Sequence, residues 1–354
     1  MKTGRTLADL AQELSRQIKA KQDMIVPSPL MRFGTDSGGT SKVMVETPDG
    51  AAQFGITELA KRQLAEKLGI PYAYFERMRE KQPDLLDRNV NTWLHSENDR
   101  RLVRTLDGNV RAVLSDRYRR LDNYDLAEHV LPILQRLPGG RPASVELTDT
   151  RMYLKWITSE VRHEIQPSDV VEAGVVVTNS EVGLGSLSVQ PMVFRLICRN
   201  GLIAADHSMR KTHVGRLKES KDDAVTVFKD DTLEAEDRAF FLKVRDVVES
   251  AVSEVTLRQL AERMRRTLGI ALTGDPVKSV EAIGTKFLLN EEERNGVLRH
   301  LISGGDLSGY GLVNALTHYS QEVSDYDRAT DFEAFGGKLL ELAAREWKEI
   351  AEAA

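Results

Sequence analysis

Cysteine is nearly missing from this chain of 354 residues: the single Cys198 leaves no internal disulfide and fits a reducing, cytoplasmic compartment. Aromatic residues are sparse at 6%, so the expected core rests on aliphatic side chains. No stretch approaches the roughly 18 uninterrupted apolar residues that a membrane-spanning helix needs, and no membrane partner is expected. The opening MKTGRTLADLAQELSRQIKAKQ lacks the apolar centre and small-residue cleavage site of a secretory signal. An overall positive charge is lacking too. The formal net charge of -5 excludes a uniformly basic nucleic-acid coat but leaves room for local patches.

Catalytic signatures are also absent. The chain has no GxxxxGK[ST], no G-x-G-x-x-G after a strand, no HExxH, no G-x-S-x-G and no paired CxxC. The best metal set is Cys198, His207 and His213, whose C-x8-H-x5-H spacing matches no common zinc module. A thiol late in an apolar strand reads as inert packing. No cofactor is expected, and a metal-dependent enzyme around these three residues stands as an alternative to a non-enzymatic protein.

What is present divides the chain in three. Residues 1–95 form a mostly helical region, 96–222 a β-rich core with a basic loop, and 223–354 a second helical region. The pattern predicts an α+β fold: a central, mainly antiparallel sheet built from hairpins, with one intervening helix and helical flanks. A helix over 6–22 carries Leu7, Leu10, Leu14 and Ile18 on one stripe. A short strand pair crosses Pro48-Asp49-Gly50. Residues 57–80 resemble a helix-turn-helix, with Thr57 as cap, Gly69 in the turn, and Ile70 and Phe75 locking the second helix. Its outward face (Tyr72, Tyr74, Glu76, Arg77, Arg79) is mixed in charge, unlike a good major-groove reader.

In the centre, strands flank an Asp107-Gly108 turn, a helix runs over 123–137, and SVELT, RMYLKWIT, VVVTN and SLSVQPMVFRLIC supply further strands. Toward the end, Thr256-x-x-Gln259 and Asn290-x-x-Glu293 have capping-box form, stops fall at Gly269 and Gly304-Gly305, and 332–354 reads as one amphipathic helix.

Positive charge gathers twice in the β-rich part. Arg100, Arg101, Arg104, Arg111, Arg117, Arg119 and Arg120 surround the first hairpin. A two-residue turn places Arg104 opposite Arg111, which destabilises a sheet unless an anion lies between them. The second group comprises Arg195 and Arg199, then Arg210, Lys211, Arg216, Lys218 and Lys221 in the loop. Arg195, inside an apolar strand, needs an anionic partner. The carboxylates Glu160, Glu164, Asp169 and Glu172 read as a solvated turn.

Four segments carry a family resemblance: QLAEKLGIPYAYFERM, VRAVLSDRYRRLDNYDL, VVVTNSEVGLGSLSVQPMVFRLICRNGL and GLVNALTHYS. Together they resemble the phage/plasmid-like proteins grouped as domain of unknown function 932. The resemblance implies DNA metabolism on a mobile element and assigns no catalytic residue. The resulting expectation is a non-enzymatic protein that binds single-stranded DNA in recombination or strand annealing and forms a homo-oligomer. Arg101, Arg104, Arg111, Arg117 and Arg119, with Arg199, Arg210, Lys211 and Arg216, would line one phosphate path, and Tyr118 would stack on a base. A duplex-reading regulator using residues 57–80 is the other alternative.

Overall fold

The structure, a computed structural model, describes all residues except 37, 48–49, 97, 119, 205–229 and 354, and for 230–237 the backbone alone. The chain begins with α1 (Leu7–Ala20), β1 (Lys21–Pro27), a single 3-10 turn, β2 (Met31–Thr35), β3 (Ser41–Thr47) and β4 (Gly50–Ile56). Next come α2 (Glu58–Lys67), α3 (Tyr72–Lys81) and α4 (Pro83–Ser96). The centre holds β5 (Arg100–Leu106), β6 (Asn109–Ser115), α5 (Asn123–Gln135), β7 (Gly140–Leu147), β8 (Met152–Gln166), β9 (Asp169–Asn179), β10 (Ser188–Arg195) and β11 (Asn200–Ile203). Helices α6 (Asp230–Ala251), α7 (Glu254–Leu268), α8 (Pro276–Phe287), α9 (Glu291–Gly304), α10 (Gly309–Tyr319), α11 (Tyr326–Leu339) and α12 (Ala344–Ala351) complete it.

The fold is α+β, with two sheets among the described residues rather than one. A six-stranded sheet has the order β1-β5-β6-β4-β3-β2, antiparallel except where β4 meets β6. It runs across position 95, because β5 and β6 complete what β1–β4 begin. The second sheet is a five-stranded antiparallel meander, β11-β10-β9-β8-β7.

Strands β1 and β2, the two edges of this sheet, are among the elements that the sequence pattern did not announce, with α4 and β11. Pro27 and Pro29 break the text there, yet β1 pairs along its whole length with β5. Helices α2, α3 and α4 cover one face of the six-stranded sheet, burying Phe33, Val43, Val45, Phe54, Leu64, Phe75 and Val90. Edge strand β2 is closed by α4: Asn91 both accepts from Phe33 N and donates to Phe33 O, and Asp87 accepts from Thr35 N. Side chains thus satisfy backbone groups that would otherwise recruit another strand.

Both faces of the five-stranded sheet are covered, so Val175, Val176 and Val177 are all buried and the strand reads as a continuous apolar run. Leu154, Trp156, Val175 and Val177 join the main core with α1, α5 and the C-terminal helices. On the other face Lys155 is fully buried and pairs at 2.7 Å with the equally buried Glu333 of α11. Desolvation pushes the Lys155 ammonium below its usual range.

Several local expectations hold and others shift. Leu10 and Leu14 are buried as expected, but Ile18 is 44% exposed. Asn290 and Glu293 form their capping box. At α7 the cap is Ser253, whose hydroxyl accepts from Thr256 N, so Thr256 lies inside the first turn. The stretch expected as one terminal helix is broken between α11 and α12.

Candidate nucleic-acid interface

The β5–β6 hairpin turns through Asp107 and Gly108, both at positive φ (50° and 73°), as a two-residue loop. Its register then slips. Thr105 pairs with Val110, but Arg104 pairs with Ala112, which leaves Arg111 as a bulge residue. Arg104 and Arg111 therefore do not face each other across the ladder, and each finds an anion inside the protein.

Arg104 is fully buried. Its guanidinium reaches Asp23 at 2.7 Å, contacts Asp122, and donates to the Glu181 carbonyl at 2.9 Å. Arg111 lies 2.6 Å from one Glu181 carboxylate oxygen, while the other accepts from Lys21 and from Asn123 N, both at 2.6 Å. Three cations (Lys21, Arg104, Arg111) and three carboxylates (Asp23, Asp122, Glu181) thus balance where the two sheets meet. Burial opposes ionisation of Glu181, but Arg111 and Lys21 outweigh it and hold the carboxyl down at about 2. Pairing is what makes buried charge tolerable here, since removal of either sign strands the other.

Arg101 is also buried, with Ser28 Oγ at 3.2 Å and Asp99 at 3.4 Å. Tyr118 packs with Leu102, Leu114 and Val182, and its hydroxyl donates to the Ser180 carbonyl at 2.9 Å. Burial raises its phenol pKa. A ring fixed in this way is packing, which corrects its assignment as a stacking platform. Gly183 serves the same contact: at φ +80° it lets the loop after β9 press on β6, and a Cβ there would meet Leu114 at 2.6 Å.

At the far end of the hairpin the picture reverses. Arg100 and Arg117 there, and Arg120 further along the segment that leads to α5, are exposed and make no ion pair among the described residues. Lys67, at the end of α2, is pushed below its usual range by burial and by the nearby Arg101 charge. Among the described residues, the acids at this tip are Asp99, Asp116 and Glu66.

The second basic group is placed elsewhere. Arg195 binds Asp169 through two nitrogens, at 2.7 and 2.6 Å, with Tyr310 donating to the same carboxylate at 2.7 Å. Its anionic partner is therefore internal. Glu172 is likewise buried and held by Arg141 (2.9 Å) and Arg162 (2.8 Å), so two of the four carboxylates read as a solvated turn are buried ion-pair members. Arg199, at φ 51°, is exposed in the turn between β10 and β11. Cys198 shares that turn instead of ending a strand, with its sulfur 3.3 Å from Arg195 Nη1.

Because Arg195 pairs with Val171 near the start of β9, this turn and Glu181 lie at opposite ends of that strand. The separation is roughly 30 Å at about 3.4 Å per residue. The described arginines do not converge into one trough. Arg119, Arg210, Lys211, Arg216, His207 and His213 lie outside the described residues. Among the described residues no group of three or more His, Cys, Asp or Glu side chains is arranged to hold a metal.

The helix pair at 57–80 forms as α2 and α3, locked by buried Ile70 and Phe75. Tyr74 is 45% exposed and Arg77 is exposed, but Tyr72 donates to Glu58 and Glu76, and Arg79 pairs with Glu76 at 2.7 Å. Three of the five residues of the expected reading face are committed to their own helices.

No curated protein and no solved structure matches the chain. Residues 110–335 match the family model described as domain of unknown function (DUF932), a span from β6 through α11 that holds Arg111, Glu181, Asp169 and Glu333. Covering well over half of the sequence, this match makes the chain a member of the domain of unknown function 932 family.

Proposed function

We propose that the protein is a non-enzymatic, mobile-element protein that binds single-stranded DNA through the tip where β5 begins and β6 ends. One observation carries the reading: Arg100, Arg117 and Arg120 stay exposed and without an ion pair among the described residues, while their neighbours Arg104 and Arg111 are neutralised. Exposed arginines with unused donors suit phosphate oxygens, whereas the fully buried Arg104, whose donors are met inside the protein, does not. The contact is sequence-tolerant, because phosphate contacts position a strand without reading its bases. Homo-oligomer formation along a strand belongs to the same proposal.

The test is anisotropy of a labelled oligonucleotide across a salt series. Binding at low salt that weakens steeply as salt rises supports the reading. No binding at low salt, or binding indifferent to salt, ends it. Mass photometry with and without a long oligonucleotide reports assembly in the same samples. A duplex-reading regulator has the exposed Tyr74, Arg77 and Lys81 of α3 in its favour. Preference for one double-stranded sequence, lost in Arg77→Glu, would select that reading instead.

A further inference from the structure

A cleft of about 620 Å³ opens between the two sheets, bounded by the start of α2, the Asp107–Gly108 turn, the β7–β8 turn and Glu181–Val182. Both signs of charge line it, but they are not equally available. Glu13 and Asp107 are both gripped by Arg16 (2.8 and 2.7 Å), Glu58 by Lys61 (2.7 Å) and Glu181 by Lys21 (2.6 Å). Asp149, exposed at the rim, is the remaining lining carboxylate.

The guanidiniums keep donors in hand. Arg62 is 61% exposed, rests 4.5 Å over the Tyr72 ring, and comes no closer than 3.5 Å to Glu58. Arg151 is steadied by donating to the Leu184 carbonyl at 2.6 Å and makes no ion pair among the described residues. Arg111 is paired in charge with Glu181, yet its Nε and Nη2 are buried and make no hydrogen bond, because the 2.6 Å contact lacks hydrogen-bond direction. Burying such donors unmet is costly. An acceptor with several oxygens, entering the cleft that Arg111 lines, would relieve that cost.

We propose that this cleft binds a phosphate monoester of nucleotide size, gripped by Arg62, Arg111 and Arg151. A phosphate monoester offers several acceptor oxygens to planar guanidinium forks, which carboxylate-sized anions match less fully. The first turn of α2 (Thr57, Glu58, Leu59) faces the same space and adds the partial positive charge of a helix start. The volume falls within the usual range for small-molecule sites, and Leu59, Leu106 and Val182 give an apolar wall for a flat group. Free nucleotide and the phosphorylated 5′ end of a strand share this chemistry. The cleft lies at the turn end of the β5–β6 hairpin, roughly 20 Å from the basic tip at about 3.3 Å per residue, so it stands apart from the proposed strand contact.

Isothermal titration of the full chain with deoxyadenosine monophosphate, and separately with adenosine, tests the proposal. Saturable binding of the monophosphate and none of the nucleoside is expected. The Arg62→Gln/Arg151→Gln variant, checked for folding by thermal melting, should bind at least about tenfold more weakly, the loss expected from removing charge-assisted contacts. Arg100→Gln/Arg117→Gln should bind the monophosphate as the wild type does. A 5′-phosphorylated oligonucleotide that displaces the monophosphate, where its 5′-hydroxyl counterpart does not, identifies a strand end as a ligand. Displacement by neither oligonucleotide leaves free nucleotides as the ligand class. Equal binding of nucleoside and monophosphate, no binding of monophosphate or phosphorylated end at millimolar concentration, or an unchanged affinity in the cleft variant overturns the proposal.

Discussion

Arg104 and Arg111, in the half of the β5–β6 hairpin nearer its turn, sit among Asp23, Asp122 and Glu181, which neutralise their charge. At the other end of the same two strands, Arg100 and Arg117 meet no such partners among the described residues and remain exposed. Residue type and local sequence are alike in the two groups. What separates them is the company brought by distant elements: β1 supplies Lys21 and Asp23, the start of α5 supplies Asp122, and the loop after β9 supplies Glu181. One end of the hairpin became a joint between sheets. The other kept its charge for something outside the protein.

If that contrast is right, substitutions at the two ends should separate stability from binding. The largest effect is expected from Arg104→Ala, which strands Asp23 and Asp122 beside a buried void. A loss of about 3–5 kcal/mol in urea unfolding is expected for breaking such an assembly from one side. Arg104→Lys should recover only part of it, because one ammonium cannot span two carboxylates and a carbonyl. Oligonucleotide affinity, measured where the variant is still folded, should stay within about twofold of the wild type, since a smaller change is under 0.5 kcal/mol. A large loss of binding with no loss of stability would reverse the assignment of the two ends.

Glu181→Gln comes next and adds a pH signature. The folded-state carboxyl titrates near 2 against an ordinary value of 4.5. Its contribution is therefore complete above about pH 4.5 and is lost as pH falls toward 2, because the unfolded chain takes up the proton first. The shift corresponds to about 3 kcal/mol. Melts of the wild type between pH 6 and 3 should show a fall in stability that is shallower in Glu181→Gln. Equal slopes would mean that Glu181 is not the carboxylate holding the joint.

The reasons why one half of this contrast was legible in the sequence, and the other was not, are physical. Turn chemistry is local, so Asp107-Gly108 announced its hairpin and Asn290-x-x-Glu293 its helix start. Thr256-x-x-Gln259 misled because Ser253, three residues earlier, starts the helix by accepting from Thr256 N, which leaves Thr256 inside the first turn. Charge pairing is not local: Asp23 and Arg104 are 81 positions apart, and only the pairing of β1 with β5 brings them together. The bulge at Arg111 was equally hidden, since no glycine or proline marks it. That Arg104 and Arg111 need anions could be read from the text, but that Asp23 and Asp122 serve the first and Glu181 the second could not. The same holds for Arg195, whose need was evident and whose partner Asp169 was not.

The smallest effect on stability, and the sharpest on function, is expected at the tip. Arg100→Gln/Arg117→Gln removes two exposed side chains that form no ion pair among the described residues, so unfolding should move by no more than about 0.5 kcal/mol. If each arginine neutralises one phosphate of a single strand, the plot of log affinity against log salt should become shallower by about 1.4. The fall in affinity should be uniform across oligonucleotide sequences, because phosphate contacts position a strand without reading it. Setting this variant beside Arg104→Ala in the same two assays makes the comparison self-checking: one should move the unfolding curve alone, and the other the salt slope alone. A tip variant that leaves the slope untouched would move the contact surface off this hairpin, while the buried joint at its other end would stand on its own.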